Sequence, residues 1–339
     1  MNAMALAAAR VRYLTRVNKT LFLPFAAMAA LFSVDSRAQG CSDAGVCTAG
    51  PLGEMPSLPD SVGTAEEPRH YARLTFSYAV GERSTTVLQV IPEVGFGISD
   101  RWGVQLRVPY MSIEGDLGNN SGVGDPVITT SYAVIKEDTR RLDAMVGVKL
   151  NSGNANDPWE GISTAQTTRS LPMPYQTSLG TTDLLFGVNY RYKRWTGALA
   201  WQHVLVQENK NDFLHLNWLD NAAGRAYFES AGLERADDAV ARLLYAIPIG
   251  RLTIQPGILA IMHLGQDTRE RPLSFGTSER IAIDGSEGMT LNLTLDAGYR
   301  INDRWTLELT YGSPLIVREE RPDGLTRSMV LNAGMRHAF

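Results

Sequence analysis

Residues 327–339, RSMVLNAGMRHAF, end the chain and show the pattern that decides the fold. Counted back from Phe339 in steps of two, one set of side chains is mostly apolar, and the interleaved set is small or polar. Successive side chains of a β-strand point to opposite faces of the sheet. This alternation therefore predicts a strand that separates two different environments.

Twelve segments of the chain read as strands of this kind. In one of them, Leu291, Leu293 and Leu295 alternate with Asn292 and Thr294. Most have ten or more residues, whereas strands of soluble proteins have about 5–6 and tilted membrane-spanning strands about 9–11. The predicted strands cover residues 70–80, 85–98, 102–113, 124–136, 140–151, 181–193, 195–207, 238–248, 251–264, 288–301, 304–316 and 327–339.

The connections between these segments alternate in length, and this favours an up-and-down outer-membrane barrel. If the number of strands is even and both ends of the chain lie in the periplasm, every long loop lies on the outer side of the membrane. The sequence thus predicts an all-β fold for residues 69–339: a transmembrane, antiparallel β-barrel of about 12 strands after an N-terminal irregular segment, located in the bacterial outer membrane. The predicted outer loops are a tight turn near Gly81 and residues 114–123, 152–180, 208–237, 265–287 and 317–326.

The closing strand also resembles the last strand of bacterial outer-membrane barrels, which ends on an aromatic residue. In that family the terminal aromatic residue is part of the signal read by the barrel-assembly machinery. The resemblance implies that Phe339 is an assembly signal and that the assembly machinery and outer-membrane lipids are partners of the chain.

Residues 1–38 read as a secretory signal peptide. Four basic residues precede an apolar run over Leu21–Val34, and Ser36-Arg37-Ala38 offers small residues at a cleavage site. The alternative is a membrane anchor, but this run is shorter than the roughly 20 residues of a spanning helix. Removal of the segment leaves 27 Lys and Arg against 35 Asp and Glu, a net charge of −8. This charge argues against nucleic acid as a partner.

Residues 39–68 are rich in Gly, Pro and Ser, and we predict a periplasmic tail or plug-like segment. The only cysteines, Cys41 and Cys47, lie there and are predicted to form a disulfide in an exported chain. A redox or metal site and a lipid on Cys41, after a loose lipobox, are the alternatives.

Each predicted strand has a second face opposite its apolar face, and these second faces carry charged residues of both signs. Basic residues facing lipid at mid-depth would each cost about 2–4 kcal/mol, so these faces should line the lumen. The charges either fill the interior as a structural ion-pair network or form a constriction that selects solutes. The lumen-lining candidates are Arg73, Glu93, Arg107, Asp143, Lys149, Asp183, Arg191, Asp238, Arg242, Asp296, Arg300, Glu308 and Arg336.

Trp102, Trp195 and Trp305 each follow a short turn, in the contexts SDRW, KRW and NDRW. Tryptophan at a membrane boundary keeps its ring in the apolar zone and its N–H in the wet zone. The repetition favours an aromatic girdle at the periplasmic side; packing in a core beside the turns is the alternative.

The sequence contains no G-x-S-x-G elbow, H-E-x-x-H helix or Walker loop. The five histidines are scattered, with no two at metal-ligand spacing. We therefore predict no catalytic residue, no metal and no cofactor, and a protein that is not an enzyme.

Five motifs, in order, are similar to the MetA-type, meta-pathway phenol-degradation family of outer-membrane transporters. The resemblance implies a channel, and some members are associated with uptake of aromatic compounds. The Cys41/Cys47 segment departs from the family pattern. The motifs are Asp100-Arg101-Trp102, Val108-Pro109-Tyr110, Gly122–Pro126, Val148–Gly153 and Leu179–Tyr190.

We therefore expect a monomeric channel for passive uptake of small solutes, with apolar or aromatic compounds as candidates. The alternatives are a structural or adhesion barrel whose lumen is closed by ion pairs and, more remotely, an outer-membrane enzyme. We also expect aromatic residues of two outer loops to form a mouth that captures apolar ligands: Trp159, Tyr175, Phe213, Trp218, Tyr227 and Phe228.

Overall fold

A computed structural model describes residues 70–161, 169–273, 276–325 and 327–339. The predicted signal peptide, the segment 39–68 and the pair Cys41/Cys47 lie outside the described residues. No described helix is long and apolar enough to cross a membrane.

The described chain forms a closed antiparallel β-barrel of 12 strands, as the sequence predicts. We call the 12 strands of the barrel its walls. Two walls are interrupted and a third is followed by a short extension, so these three walls each comprise two segments. The segments are β1 (His70–Gly81), β2 (Thr86–Gly97), β3 (Trp102–Arg107), β4 (Tyr110–Gly115), β5 (Gly118–Val123), β6 (Val127–Lys136), β7 (Arg140–Lys149), β8 (Thr181–Tyr192), β9 (Trp195–Gln207), β10 (Asp238–Tyr245), β11 (Ile247–Ile249), β12 (Leu252–His263), β13 (Thr268–Pro272), β14 (Ser278–Ala282), β15 (Gly288–Arg300), β16 (Trp305–Ile316) and β17 (Arg327–Ala338).

The barrel closes because β1 pairs with both β2 and β17. The chain continues from wall to neighbouring wall, with short turns at one end of the barrel and longer connections at the other. We call these the short-turn end, predicted to be periplasmic, and the long-loop end. The hairpin of β13 and β14 is a separate two-stranded sheet within the connection between β12 and β15.

The structure corrects the prediction of a loop at 114–123. These residues instead continue the third and fourth walls as the hairpin of β4 and β5, in which Gly115 pairs with Gly118. Each wall is interrupted at a proline, Pro109 or Pro126, which has no N–H to donate to a ladder. The carbonyl groups of both prolines are still paired: Gly124 N–H donates to the Pro109 carbonyl at 2.9 Å, and Leu150 N–H to the Pro126 carbonyl at 2.9 Å.

The two faces of the barrel wall differ as the alternation predicts. In β1, Leu74, Phe76 and Tyr78 are exposed on the outer face, whereas Arg73 and Ser77 are buried on the inner face. Large exposed hydrophobic side chains recur on the outer face of wall after wall, and only a membrane gives such a belt an apolar partner.

The three tryptophans that follow short turns contact other rings at that end of the barrel. The Trp102 ring lies edge-on to Tyr132 at 6.1 Å, and Trp195 lies 4.8 Å from Tyr245. Trp305 lies 4.3 Å from the His337 ring. Trp102 and Trp195 are about half exposed on the outer face. The aromatic girdle remains a prediction, and the position of the three tryptophans at the short-turn end agrees with it.

One glycine makes room for an interior aromatic residue. Gly95 in β2 pairs with Tyr71 in β1, and a side chain at Gly95 would overlap the Tyr71 ring. The ring fills the space above the glycine, and its hydroxyl donates to Glu93 Oε1 at 2.9 Å.

The outer belt gives a first prediction. Leu309, half exposed in the middle of β16, should lose about 2–4 kcal/mol of unfolding free energy as Leu309→Arg, because a guanidinium at mid-depth loses its water. The control, Leu216→Arg in a long loop, changes a leucine that is also exposed, at 64% against 44% for Leu309, and should stay within about 0.5 kcal/mol. Urea unfolding in lipid vesicles measures both; equal effects would argue against a lipid-facing belt.

Gly95 gives a second prediction. Gly95→Ala should destabilise the barrel by about 1–3 kcal/mol, because the new methyl group displaces the Tyr71 ring. Gly312→Ala is the control, since a Cβ there meets no atom within 4 Å. The double change Gly95→Ala/Tyr71→Leu should recover part of the loss in the same urea titration, and no recovery would refute this packing.

Candidate functional site

The interior of the barrel is the candidate site. The strand pairing places all thirteen predicted lumen-lining residues on the inner face, where they alternate with outward apolar side chains. Their role in conduction remains a proposal, but their contacts divide them into groups at different depths.

The first group surrounds Arg73 near the short-turn end. Arg73 Nη1 lies 2.9 Å from Glu93 Oε1, and its Nε lies 3.0 Å from Glu308 Oε2. The Arg336 guanidinium lies over the face of the Tyr71 ring at 4.4 Å, a cation–π contact. Arg107 pairs with Glu93 across β2 and β3. These side chains therefore form one continuous charged surface over neighbouring walls.

Two further pairs extend the charges around the barrel. Arg141 Nε lies 2.8 Å from Asp143 Oδ2, and Arg141 pairs in register with Arg191. Arg242 Nη2 lies 2.5 Å from Asp296 Oδ2. Sequence reasoning missed Arg141, the second residue of β7, although its spacing of two from Asp143 places both side chains on one face. We call the inward arginines near this end the arginine belt: Arg73, Arg107, Arg141, Arg191, Arg242, Arg300 and Arg336.

A third group, around Lys149, lies at the long-loop end. Lys149 Nζ is buried, 2.9 Å from Asp183 Oδ2, 2.9 Å from Thr181 Oγ1 and 3.7 Å from Asp125 Oδ2. Asp125 also accepts the Ser178 hydroxyl at 2.8 Å. Three of the five motifs that are similar to the MetA-type family therefore meet around Lys149. Asp125 was missed as a site residue because nothing in the sequence pairs it with Lys149.

Part of the predicted outer loop 152–180 is buried. Every described residue from Arg169 to Thr181 is buried, including Tyr175. The Leu117 N–H donates to the Tyr175 hydroxyl at 3.0 Å, and Asn120 Nδ2 donates to the Tyr175 carbonyl at 2.8 Å. We call residues 169–181 the buried segment; it leads directly into β8.

The predicted aromatic mouth is wrong for most of its members. Phe213 and Trp218 are completely buried and pack 5.7 Å apart, and the Trp159 ring lies 5.0 Å from Trp218. Tyr175 and Tyr227 lie 5.7 Å apart and share a hydroxyl contact of 3.2 Å. These rings form a packed core with apolar residues of β1, β2 and β4, because burial against their own loops removes their apolar area from water.

The long loops also share a buried charge network that sequence analysis missed. Asp323 Oδ2 lies 2.7 Å from Arg318 and 3.1 Å from Arg235. His263 at the end of β12 lies between two carboxylates, 2.7 Å from Asp238 and 2.7 Å from Asp267. Arg235 also contacts Asp238 at 3.1 Å. The network joins the connections before β10, after β12 and before β17.

The electrostatics of Asp323 show how this network is stabilised. Burial alone raises the pKa of a carboxyl group, but the guanidinium groups of Arg318 and Arg235 hold the pKa of Asp323 well below its usual range. A depressed carboxyl pKa stabilises the folded state above the unfolded pKa, about 3.9. The contribution of Asp323 is therefore complete at pH 7 and is lost only as the pH falls below about 4.

Among the described residues, no three His, Cys, Asp or Glu side chains are arranged to hold a metal ion.

Comparison with known proteins supports the fold. No family model and no curated protein sequence matches the chain. Among solved structures, the COG4313 outer membrane channel from Pseudomonas putida F1 is similar over 84% of this chain and 100% of its own, with a TM-score of 0.55 and 15% identity. The NanC porin is similar over 79% of this chain and 100% of its own, with a TM-score of 0.45 and 9% identity. The likeness to the COG4313 channel shows that the chain has the fold of an outer-membrane β-barrel.

The charge network gives a third prediction. Asp323→Asn removes the carboxylate shared by Arg235 and Arg318, and leaving buried charges without their partner should cost about 3–5 kcal/mol. The long loops should then become sensitive to protease on the outside of the folded barrel.

Limited proteolysis of the barrel in detergent, followed by mass mapping, measures this. Glu319→Gln removes an exposed carboxylate from the same loop and should leave the cleavage pattern unchanged. Indistinguishable digestion of Asp323→Asn and the unsubstituted protein would show that the network does not hold the loops.

Proposed function

We propose that the protein is a passive outer-membrane channel for small solutes. The observation that carries this proposal is the polar inner face of the closed barrel, where charged and uncharged polar side chains replace the apolar ones of the outer face. The uncharged ones include Asn292, Thr294, Gln255 and Gln105.

A polar interior is typical of outer-membrane barrels that hold a water-filled channel. These four side chains are uncharged and lie on the inner faces of three different walls, β3, β12 and β15, so a network of ion pairs does not account for them. A wet lumen does account for them, and a wet lumen is what conduction requires.

The buried segment supports a size limit for the solute. A 12-stranded barrel is narrower than the 16–18-stranded porins with open aqueous channels. Tyr175 and its neighbours occupy the long-loop end and reduce the opening further. The proposed channel therefore admits only small molecules. The resemblance to the MetA-type family supports aromatic compounds as candidates, and the alternative is a structural or adhesion barrel.

Planar-bilayer recording separates these functions, because a sealed barrel gives no conductance steps. We expect small, discrete steps from the purified protein. Replacing Pro172–Gln176 by a glycine–serine linker should enlarge them, because it removes Tyr175 from the interior. The control shortens the hairpin of β13 and β14, whose strands are mostly exposed, and should leave the step size unchanged.

Liposome swelling provides the matching solute test. Entry of phenol-sized solutes with exclusion of larger sugars is expected from the narrow interior. Equal exclusion of every solute, together with an absence of steps, would favour the structural barrel. Hydrolysis of lipid that disappears on replacing a single Ser or His would favour an enzyme instead.

A further inference from the structure

His263 joins two long connections of the barrel through one buried ring. It is the last residue of β12. Its Nδ1 lies 2.7 Å from Asp238 Oδ1, at the start of β10, and its Nε2 lies 2.7 Å from Asp267 Oδ1, in the connection after β12. Both distances are typical of charge-assisted hydrogen bonds. We call these three residues the histidine bridge.

The geometry of the histidine bridge specifies the protonation state of the ring. An ionised carboxylate only accepts hydrogen bonds, and a neutral imidazole has one N–H and one acceptor nitrogen. A neutral ring can therefore donate to Asp238 or to Asp267 but not to both, and its second nitrogen would face a carboxylate oxygen with no proton between them. Only the imidazolium, with an N–H on each nitrogen, satisfies both contacts.

Neighbouring groups keep both carboxylates ionised. Asp238 Oδ2 lies 3.1 Å from Arg235 Nη2. Asp267 Oδ1 also accepts the Ala236 N–H at 3.0 Å, and its Oδ2 lies 3.8 Å from Arg318 Nη1. Donors and positive charges around a carboxylate favour its ionised form. The proton that completes the two contacts therefore resides on the imidazole ring.

The other charged side chains near the histidine bridge belong to the connections before β17 and before β15. Burial opposes a charge on the ring, whereas the two carboxylates in contact with it favour that charge. The imidazolium therefore persists above about pH 6.5, where an isolated histidine is half protonated. These neighbouring groups are the pair Arg318 and Asp323, 2.7 Å apart, and the exposed Asp284 and Glu287, which both accept from Gln266.

The histidine bridge also reaches the buried segment. The connection that ends at Asp238 carries Tyr227, whose hydroxyl lies 3.2 Å from the hydroxyl of Tyr175 in the buried segment. In the same connection, Arg235 N–H donates to Gln207 Oε1 at 3.2 Å. The two contacts of the ring therefore attach the end of β12 to the loop that packs against Tyr175.

We propose that the proton on His263 is a pH-dependent latch of the long loops. At neutral pH the imidazolium holds the connections before β10 and after β12 against the end of β12. When the ring loses a proton at alkaline pH, one buried carboxylate loses its donor, and the connection that carries it loosens. The latch does not depend on conduction. Its effect on the opening at the long-loop end rests on the proposed channel function.

Trypsin digestion of the full chain in detergent, with mass mapping, tests the latch between about pH 6.5 and about pH 9.5. The reporter is the bond after Arg235, whose side chain is buried beside the histidine bridge. An unstructured peptide in the same tube corrects for the pH dependence of trypsin. Cleavage should become about tenfold faster at the higher pH, because one charge-assisted hydrogen bond is lost. A corrected rate that does not change with pH would overturn the latch.

Two variants separate titration of the ring from a purely structural contact. His263→Gln cannot take up a proton, so cleavage should be fast at neutral pH and independent of pH. In Asp238→Asn, the amide oxygen can accept from Arg235 and the amide N–H can donate to Nδ1 of a neutral ring, whose Nε2–H donates to Asp267. Cleavage of this variant should therefore stay slow up to the higher pH. Fast cleavage of Asp238→Asn at every pH would show that the carboxylate is only a structural partner.

His203→Gln is the matched control. His203 contacts one carboxylate, with Nδ1 2.9 Å from Asp237 Oδ2, and is half exposed on the outer face. A neutral ring satisfies this contact, so the variant should keep the pH profile of the unsubstituted protein. Loss of the profile in His203→Gln would assign the titration to that residue and refute the latch.

Conductance over the same pH range tests the channel separately. In the unsubstituted protein the steps should become larger as the pH rises, and in Asp238→Asn they should not change with pH. Faster digestion at alkaline pH with no conductance at any pH would support the latch and overturn the channel function. Conductance steps together with digestion that is independent of pH would do the reverse.

Discussion

Closure of the sheet at β1 is the constraint on which the rest of the structure depends. Lipid offers no hydrogen-bond partner, so every backbone N–H and C=O at membrane depth must find one within the protein. β1 satisfies both of its edges by pairing with β2 and β17, from Tyr71 opposite Ala338 to Ala79 opposite Val330. Phe339 N–H then donates to the His70 carbonyl at 3.1 Å, so the last residue of the chain completes the seam.

A closed sheet fixes the environment of each side chain by its parity in the strand. Residues of one parity meet lipid and those of the other meet the interior, so charge can be placed only on the second set. Leu185 illustrates the rule: it breaks the alternation of apolar and polar residues in β8, yet it points inward and joins a cluster of buried hydrophobic side chains with Met145 and Val240. The apparent irregularity is therefore part of the interior surface.

The strands were predictable from sequence because their signal is local. Alternation and length are properties of ten consecutive residues, and all twelve walls were found. The charge network was not predictable, because Arg235 and Asp323 are 88 positions apart and no local pattern relates them. The aromatic residues of the outer loops were visible in the sequence. A loop that exposes its aromatic rings and a loop that packs them have the same composition, however, so composition could not distinguish the two. Only the arrangement of the loops decides between a mouth and a core, as Phe213 and Trp218 show.

The two ends of the interior use charge in different ways. At the long-loop end, Asp323 lies between Arg235 and Arg318, so the charges compensate one another and hold the loops in place. At the short-turn end the charges pair across neighbouring walls instead, with Arg73 2.9 Å from Glu93 and 3.0 Å from Glu308, so they join the strands of the barrel itself. In the proposed channel the buried segment limits the size of the solute at the long-loop end.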